Sequence, residues 1–262
     1  MVDLHFHLLP GLDDGPADSV ASVALADEAA RLGVTTVVAT PHLRPDYPAV
    51  RVEELGERTA AIAEIIRGHG IPLEVLPGAE LSWHAIPGLD DEALRCATLA
   101  GNGRDLLLET PWEPFGTEFE LAVDDLRSRG FRVTLAHPER SLTMQRNPAA
   151  LERLVASGVL VQITASSLLG SRRSPARRFA LLALEHGWAH VLASDAHAVA
   201  WRPPDLAEGV AAARRAFPER GRELEWMASE APRAITLGQP LPPRPARAER
   251  PARGLGGLLG RG

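Results

Sequence analysis

Two histidines close to the start of the sequence, His5 and His7, have the residue type and spacing of a metal-ligand pair. They lie in an aliphatic run, and side chains two apart on a β-strand point to the same face, so we expect Leu4, Phe6 and Leu8 on the opposite face. Paired imidazoles suit zinc, iron, manganese and similar divalent ions. Hydrogen-bonded surface histidines give the same pattern, so this motif needs support from the rest of the chain.

Short aliphatic runs alternate with helix-like segments along the chain. Strands are predicted at the start and over residues 35–40, 73–76, 105–108, 132–136, 160–163 and 190–193, and helices over 18–32, 51–67, 119–129, 148–157, 175–186 and 204–216. Glycine follows most of these helices, as is typical of a helix C-terminus. Seven strands alternating with helices favour a parallel sheet. We expect a closed or nearly closed α/β barrel, although a doubly wound open sheet has the same alternation.

Polar side chains are concentrated where the predicted strands end, which is where barrels of this kind carry their active sites. The residues at these positions are His5, His7, His42, Glu80, Glu109, His137, Asp195 and His197, with Asp13 and Asp14 in the first loop. Carboxylates would be costly to bury there without partners. Nitrogen and oxygen ligands without cysteine suit two or three hard or borderline cations. The other four histidines (His69, His84, His186 and His190) are predicted to be structural.

The composition excludes several classes of protein. A net charge of −6 and a pI near 5.9 argue against general affinity for nucleic acid or an anionic membrane. The single cysteine, Cys96, excludes an internal disulfide framework, fits a reducing compartment and is expected to be buried in a helix. No secretory leader pattern or long apolar run is present, so we expect a cytoplasmic protein that is not embedded in a membrane.

The sequence changes character after Leu237, where proline, glycine, alanine and arginine dominate. This predicts one domain over residues 1–237 and a disordered, basic tail over 238–262. The tail arginines could contact anionic lipid or an acidic partner, and a plain solubilising extension is equally consistent with the sequence.

Seven motifs, in order, carry a resemblance to a known family. They are residues 3–7 (Asp-Leu-His-Phe-His), 11–16 (Gly-Leu-Asp-Asp-Gly-Pro), 39–42 (Ala-Thr-Pro-His), 77–80 (Pro-Gly-Ala-Glu), 136–140 (Ala-His-Pro-Glu-Arg), 162–170 (Gln-Ile-Thr-Ala-Ser-Ser-Leu-Leu-Gly) and 193–197 (Ala-Ser-Asp-Ala-His). The chain resembles the polymerase-and-histidinol-phosphatase (PHP) superfamily over about residues 1–237. Within it, the chain is most similar to the bacterial tyrosine phosphatases of capsule and exopolysaccharide loci, the CpsB/CapC type.

The resemblance implies a distorted (β/α)7 barrel with a trinuclear site, in which manganese is the expected activator and iron or zinc are alternatives. The ligands that it implies are His5, His7, Asp14, His42, Glu80, Glu109, His137, Asp195 and His197. It also implies that Arg140 and Arg202 bind phosphate, which suits the planar, multi-donor guanidinium group. The nucleophile is then expected to be a metal-activated hydroxide. Cys96 has no arginine-rich phosphate loop around it, so the cysteine-dependent mechanism is rejected.

The family likeness implies that the substrate is the phosphotyrosine tail of a bacterial tyrosine kinase that regulates capsular or exopolysaccharide synthesis. The chain itself has a single tyrosine, Tyr47, so such a substrate must come from another protein. One alternative is another PHP activity, either a small-molecule phosphatase of the histidinol-phosphate kind or a nuclease, which the acidic charge disfavours. A non-catalytic docking protein is the other alternative, which has no need of nine converging ligands.

Overall fold

The structure of the protein is a computed structural model that describes residues 1–247. The strands of this part of the chain are β1 (Val2–Phe6), β2 (Thr36–Ala39), β3 (His42–Leu43), β4 (Glu74–Pro77), β5 (Glu80–Leu81), β6 (Asp105–Glu109), β7 (Arg132–Ala136), β8 (Leu160–Thr164) and β9 (Val191–Ala193). Its helices are α1 (Ser19–Arg31), α2 (Leu55–Gly68), α3 (Asp91–Cys96), α4 (Thr117–Ser128), α5 (Leu142–Arg146), α6 (Pro148–Ala156), α7 (Ala165–Leu169), α8 (Pro175–His186), α9 (Leu206–Ala216), α10 (Gly221–Met227) and α11 (Glu230–Thr236). Every strand pair is parallel.

The strands form two parallel sheets, in the orders β1-β2-β4 and β3-β5-β6-β7-β8-β9. Because β3 continues the path of β2 and β5 continues that of β4, the nine strands follow seven chain paths. The path of β9 returns to that of β1 through a parallel bridge between Ala196 and Phe6. The Asp195 N–H donates to the His5 carbonyl at 2.9 Å beside this bridge. The fold is the predicted distorted (β/α)7 barrel.

Proline and glycine cause the breaks that separate β2 from β3 and β4 from β5. Pro41 has no N–H to donate to a neighbouring strand. On the adjacent path, Gly78 packs so closely that an added Cβ would lie 2.8 Å from Cγ1 of Val38. The chain therefore changes its pairing partners at this level of the barrel, and the segments beyond the breaks carry His42 and Glu80.

The predicted helices are present with ends shifted by a few residues, because local signals specify them. Asp18 caps α1 by accepting a hydrogen bond from the Ala21 N–H, and Ser174 caps α8 in the same way. Gly187, with φ of +75°, ends α8 in the left-handed conformation that favours glycine. The glycine that follows the helix predicted over 51–67 does not end it. Gly68 is still helical, and Gly70 takes the left-handed conformation two residues later.

The face prediction for the first strand is wrong in part. The register of β1 shifts between Asp3 and Phe6, which indicates a bulge. Leu4 therefore packs in a small apolar cluster, which is formed by residues from several strands of the barrel. Phe6 and Leu8 belong to the larger core. A strict two-residue alternation cannot anticipate this change of face.

Two further expectations need correction. Cys96 is at the end of a helix as predicted, but its side chain is exposed rather than buried. The predicted disorder does not hold for residues 238–247, where Arg244 donates to the carbonyls of Gly187 and Ala189 and its guanidinium lies over the Trp226 ring. Residues 248–262 of the predicted tail lie outside the described residues. Within residues 1–247, no helix combines the length and the apolar character needed to cross a bilayer.

Candidate metal centre

The carboxyl ends of the strands bring all nine predicted ligands into one buried cluster. Ligand atoms from groups of three or four residues lie within 4.8 Å of one another, and the groups share members. The groups are His7, Asp14, His42 and His197; His5, His7 and Glu80; His5, His137 and Asp195; and His42, Glu80 and Glu109. Asp14 is the most exposed member, and the others are buried. We call this cluster the nine-residue centre.

Hydrogen bonds behind His5 and His7 fix which ring nitrogen faces the centre. Nδ1 of His5 lies 3.1 Å from Oε1 of Gln162, and Nδ1 of His7 lies 2.7 Å from Oδ2 of Asp13. Both oxygens are acceptors, so each Nδ1 donates its proton away from the centre. The two Nε2 atoms are 3.2 Å apart. Two lone pairs at this distance require a positive charge beside them, which either a proton or a cation can supply.

The carboxylates of Glu80 and Asp195 supply the negative charge of the centre. Oε2 of Glu80 lies 3.2 Å from Nε2 of His5 and 2.9 Å from Nδ1 of His42, and Oδ1 of Asp195 lies 3.2 Å from Nε2 of His5. Burial opposes ionisation of both groups, but the surrounding histidines hold the pKa of each carboxyl well below its ordinary value. Both are therefore ionised at neutral pH, as metal ligands must be.

Unsatisfied polar atoms support a fit to cations. Among the described residues, four buried atoms of the centre have no hydrogen-bond partner: Oε2 of Glu80, Oδ1 of Asp195, Nδ1 of His42 and Nδ1 of His137. Buried polar atoms in native proteins nearly always have a partner, so four orphans in one cluster need an explanation. Both carboxylate orphans point at imidazole nitrogens without hydrogen-bond geometry, which is the arrangement of ligands that converge on a common ion.

The protonation states of His137 and His7 both affect cation binding at the centre. Burial lowers the pKa of His137 to about 4, so its ring is neutral, and Nε2 lies 2.8 Å from Oε1 of Glu80. Burial opposes the charged form of His7, but the hydrogen bond with Asp13 and the neighbouring carboxylates of Asp195 and Glu80 raise its pKa well above the ordinary value. Without cations, this imidazole takes up a proton to balance the carboxylates, and cations would compete with that proton.

Two of the clustered residues have an uncommon backbone conformation. His137 has φ of +38° and Asp195 has φ of +58°, and neither is glycine. Such conformations cost free energy and persist where the surrounding structure holds them, which is common at functional sites. The His137 N–H donates to the Gln162 carbonyl at 3.0 Å, and the Asp195 N–H donates to the His5 carbonyl. In this backbone conformation both side chains face the centre.

Both predicted phosphate-binding arginines reach the edge of the centre. Nη1 of Arg140 donates to Oδ2 of Asp195 at 2.7 Å, and Nη2 donates to Oγ of Ser166 at 3.1 Å. Arg202 also donates to Oδ2 of Asp195, and its Nη1 lies 2.9 Å from Nε2 of His197. The two guanidinium groups therefore meet over one carboxylate oxygen and place two positive charges at the mouth of the centre.

Several supporting residues were not assigned from the sequence. Asp13 and Gln162 orient His7 and His5, respectively. Both lie in motifs that carry the family resemblance, and this position in a motif was the signal available in the sequence. Asp3 accepts from the Ser194 N–H through both oxygens at 3.1 Å and joins β1 to the strand path that carries Asp195. Burial raises the pKa of Asp3 to about 6. Glu139 accepts from the Thr164 N–H at 2.9 Å and fixes the turn after β8.

Residues 1–230 match a family described as capsular polysaccharide synthesis, CpsB/CapC. The chain is 32% identical over 250 residues to tyrosine-protein phosphatase YwqE of Bacillus subtilis. This alignment covers 94% of this chain and 97% of the relative. It is 26% identical over 209 residues to tyrosine-protein phosphatase CpsB of Streptococcus pneumoniae, covering 78% and 86% of the two chains.

A solved structure has a similar fold. It comes from work that describes YwqE from Bacillus subtilis and CpsB from Streptococcus pneumoniae as unique metal-dependent tyrosine phosphatases. It superimposes with a TM-score of 0.83 at 31% sequence identity and covers 95% of this chain and 100% of the solved chain.

Proposed function

Because this chain belongs to the CpsB/CapC family of capsular polysaccharide synthesis proteins, we propose that it is a metal-dependent protein-tyrosine phosphatase. Such an enzyme uses water to hydrolyse the phosphate monoester of a tyrosine residue, which restores the phenol of the side chain and releases inorganic phosphate. The observation that carries the proposal is the nine-residue centre, where imidazoles and ionised carboxylates converge with orphaned ligand atoms. Two arginines beside it match the charge of a phosphate group.

We propose that the nine-residue centre holds three divalent cations, with manganese as the activator. The ligand groups overlap through His5, His7, His42 and Glu80, so a single centre, and not separate sites, would hold the cations. Imidazole and carboxylate ligands without thiolate suit manganese, and iron and zinc are the alternatives. When bound, such cations lower the pKa of water towards neutrality and offset charge on phosphoryl oxygens.

The arginines bind and orient the phosphate in this proposal. Nδ1 of His197 lies 2.9 Å from the Asp195 carbonyl oxygen and donates to it, so Nε2 has a single lone pair, which now accepts from Arg202. That lone pair cannot serve Arg202 and a cation together. With a cation held at His197, Arg202 would have an N–H free for a phosphoryl oxygen. Arg140, which donates to Ser166 and to the same Asp195 oxygen as Arg202, supplies further guanidinium donors beside it.

The proposed physiological substrate is the phosphotyrosine tail of a bacterial tyrosine kinase that controls polysaccharide synthesis. The family name supports the capsule connection, and the single tyrosine of this chain means that the substrate comes from another protein. A disordered tail is a suitable substrate because an extended segment can enter a site at a barrel mouth without unfolding a domain.

Parallel kinetics test the proposed function. The manganese-loaded protein is assayed with a phosphotyrosine peptide, matched phosphoserine and phosphothreonine peptides, histidinol phosphate and single-stranded DNA. We expect the highest kcat/KM for the phosphotyrosine peptide. A higher kcat/KM for histidinol phosphate would assign the chain to the small-molecule phosphatases, and turnover of DNA alone would assign it to the nucleases.

A further inference from the structure

Two exposed tryptophans stand at the mouth of the nine-residue centre. The chain has five tryptophans, and Trp112 and Trp201 are 49% and 61% exposed, whereas Trp188 and Trp226 are buried and Trp83 is partly buried. Tryptophan combines a large apolar ring surface with an indole N–H, which suits it to contact with an aromatic ligand. Both exposed rings lie in loops at the carboxyl ends of strands, after β6 and β9, and therefore on the side of the barrel that carries the centre.

Each exposed ring contacts a histidine of the centre. The ring centroid of Trp112 lies 5.8 Å from that of His137, and the ring centroid of Trp201 lies 5.5 Å from that of His197. On the path order around the barrel, β6 and β9 are separated by β7 and β8. The two indole rings therefore flank the centre from different sides, and neither is a remote surface residue.

Each ring is also close to one of the two arginines, Trp112 through a direct contact and Trp201 through its place in the sequence. The guanidinium carbon of Arg140 lies 5.8 Å from the Trp112 ring centroid, a cation–π contact. Arg202 directly follows Trp201, and paired hydrogen bonds between Ala198 and Arg202 close the turn that presents Trp201. A phosphate held by both guanidinium groups would thus direct the group on its ester oxygen towards two aromatic surfaces.

We propose that Trp112 and Trp201 form an aryl clamp, which selects phosphotyrosine by stacking its ring. This inference rests on the proposed function and names the substrate feature that the site recognises. A phenyl ring next to the phosphate offers two flat faces for offset or edge-to-face contact with indole. Phosphoserine and phosphothreonine offer only one or two carbons at that place, so their phosphate binds the centre without filling the clamp.

The two rings differ in how they are held. Nε1 of Trp112 donates to Oε1 of Glu109 at 3.2 Å, which ties this ring to the centre. Trp201 projects from the turn that also exposes Val199. Trp201 is therefore the cleaner position for a substitution, and Trp112→Phe separates the loss of the Glu109 hydrogen bond from the loss of an aromatic surface.

Inhibition by phosphonates tests the clamp without relying on turnover of poor substrates. The inhibition constants of phenylphosphonate and methylphosphonate are measured for the manganese-loaded wild type, Trp112→Leu, Trp201→Leu, the phenylalanine variants at both positions, and Val199→Ala as the control in the same turn. The ratio of the two constants isolates recognition of the ring, because both ligands carry the same phosphonate. Phosphotyrosine peptide kinetics and elemental analysis accompany each variant.

We expect the wild type to prefer phenylphosphonate and each leucine variant to lose about ten- to hundredfold of that preference, the range that stacking on aromatic side chains supports. The methylphosphonate inhibition constant of each leucine variant should stay within about twofold of the wild-type value. The preference for phenylphosphonate should likewise stay within about twofold of the wild-type preference in the phenylalanine variants, which keep an aromatic surface, and in Val199→Ala. An unchanged preference in both leucine variants, or an equal loss for both phosphonates, would overturn the clamp. A wild type that prefers phenylphosphonate but hydrolyses no phosphotyrosine peptide would refute the proposed function and leave the clamp standing.

Discussion

Replacing Asp13 with asparagine tests whether the hydrogen bonds behind the histidines hold them in the cation-binding form. Oδ2 of Asp13 accepts from Nδ1 of His7 at 2.7 Å and from the His42 N–H at 3.0 Å, and Oδ1 accepts from the Gly15 N–H at 3.0 Å. A carboxylate satisfies all three donors. Asparagine has one acceptor oxygen and one donor nitrogen, so it must place its amide N–H against at least one of them.

The two orientations of the new amide fail in different ways. With the nitrogen towards His7, the ring proton must move to Nε2, the atom that faces the centre, and cation binding there is lost. With the oxygen towards His7, the nitrogen opposes the Gly15 N–H and leaves that group unsatisfied, at a cost of about 1–3 kcal/mol. Removing such an orienting partner typically costs about 10–100-fold in metal affinity, or roughly 1.4–2.8 kcal/mol. We expect Asp13→Asn to weaken manganese binding by that factor.

Titration calorimetry with manganese measures this effect directly. The matched control is Asp18→Asn, since Asp18 is exposed, accepts one hydrogen bond as the cap of α1, and is replaced by an equally good capping residue. Far-ultraviolet circular dichroism checks that both variants fold. Wild-type manganese affinity in Asp13→Asn would refute the assignment of Asp13 as an orienting partner of His7.

Three further predictions concern separate parts of the molecule. Arg140→Ala should lower kcat/KM for a phosphotyrosine peptide by an amount equivalent to about 2–4 kcal/mol, because it removes donors to developing charge, and an unchanged value would return Arg140 to a structural role. Burial raises the pKa of Asp205 to about 7. Its folded-state pKa exceeds the unfolded value, so the free energy of unfolding should fall as pH rises from about 4 to about 7, and denaturant titrations of Asp205→Asn should show a shallower fall. An equally steep fall in that variant would contradict the assignment. Arg244→Ala should lower the free energy of unfolding by about 1–3 kcal/mol, since the carbonyls of Gly187 and Ala189 lose their donors. A denaturation midpoint identical to that of the wild type would show that this packing contributes nothing.

The family and the barrel fold were predicted from the sequence and are confirmed. The prediction succeeds because a parallel barrel places the residues that follow its strands at one end of the molecule. His5, Glu109 and Asp195 are far apart in sequence, yet each lies at or just beyond the end of a strand path. Residue type and strand position were therefore enough to predict that they meet.

The orienting residues could not be predicted in the same way, because their residue types have several common uses. Asp13 stands in a turn-forming sequence, and aspartate there more often bonds its own backbone, as it also does here with the Gly15 N–H. Its bond to His7 depends on a side-chain direction that only the folded loop sets. Gln162 is a strand residue whose amide reaches His5 across 157 positions of sequence.

The remaining errors arise where tertiary contacts override local composition. The bulge in β1 depends on pairing with β2 and not on the alternation within residues 2–8. Residues 238–247 have the proline-rich composition of a disordered segment, yet Arg244 finds carbonyl acceptors and an ion pair with Glu223 at 2.7 Å. Cys96 is exposed because the short helix α3 turns that position outwards. None of these contacts has a signal in the local sequence.

The nine-residue centre is proposed to bind the cations on which hydrolysis depends. The most direct test is elemental analysis of the protein after chelation and after reconstitution with manganese, with phosphotyrosine turnover measured on the same samples. We expect three manganese ions per chain and turnover that returns in proportion to them, with both lost in Asp195→Ala while the circular dichroism spectrum is retained. Full turnover by a chain that contains no divalent metal would contradict the claim.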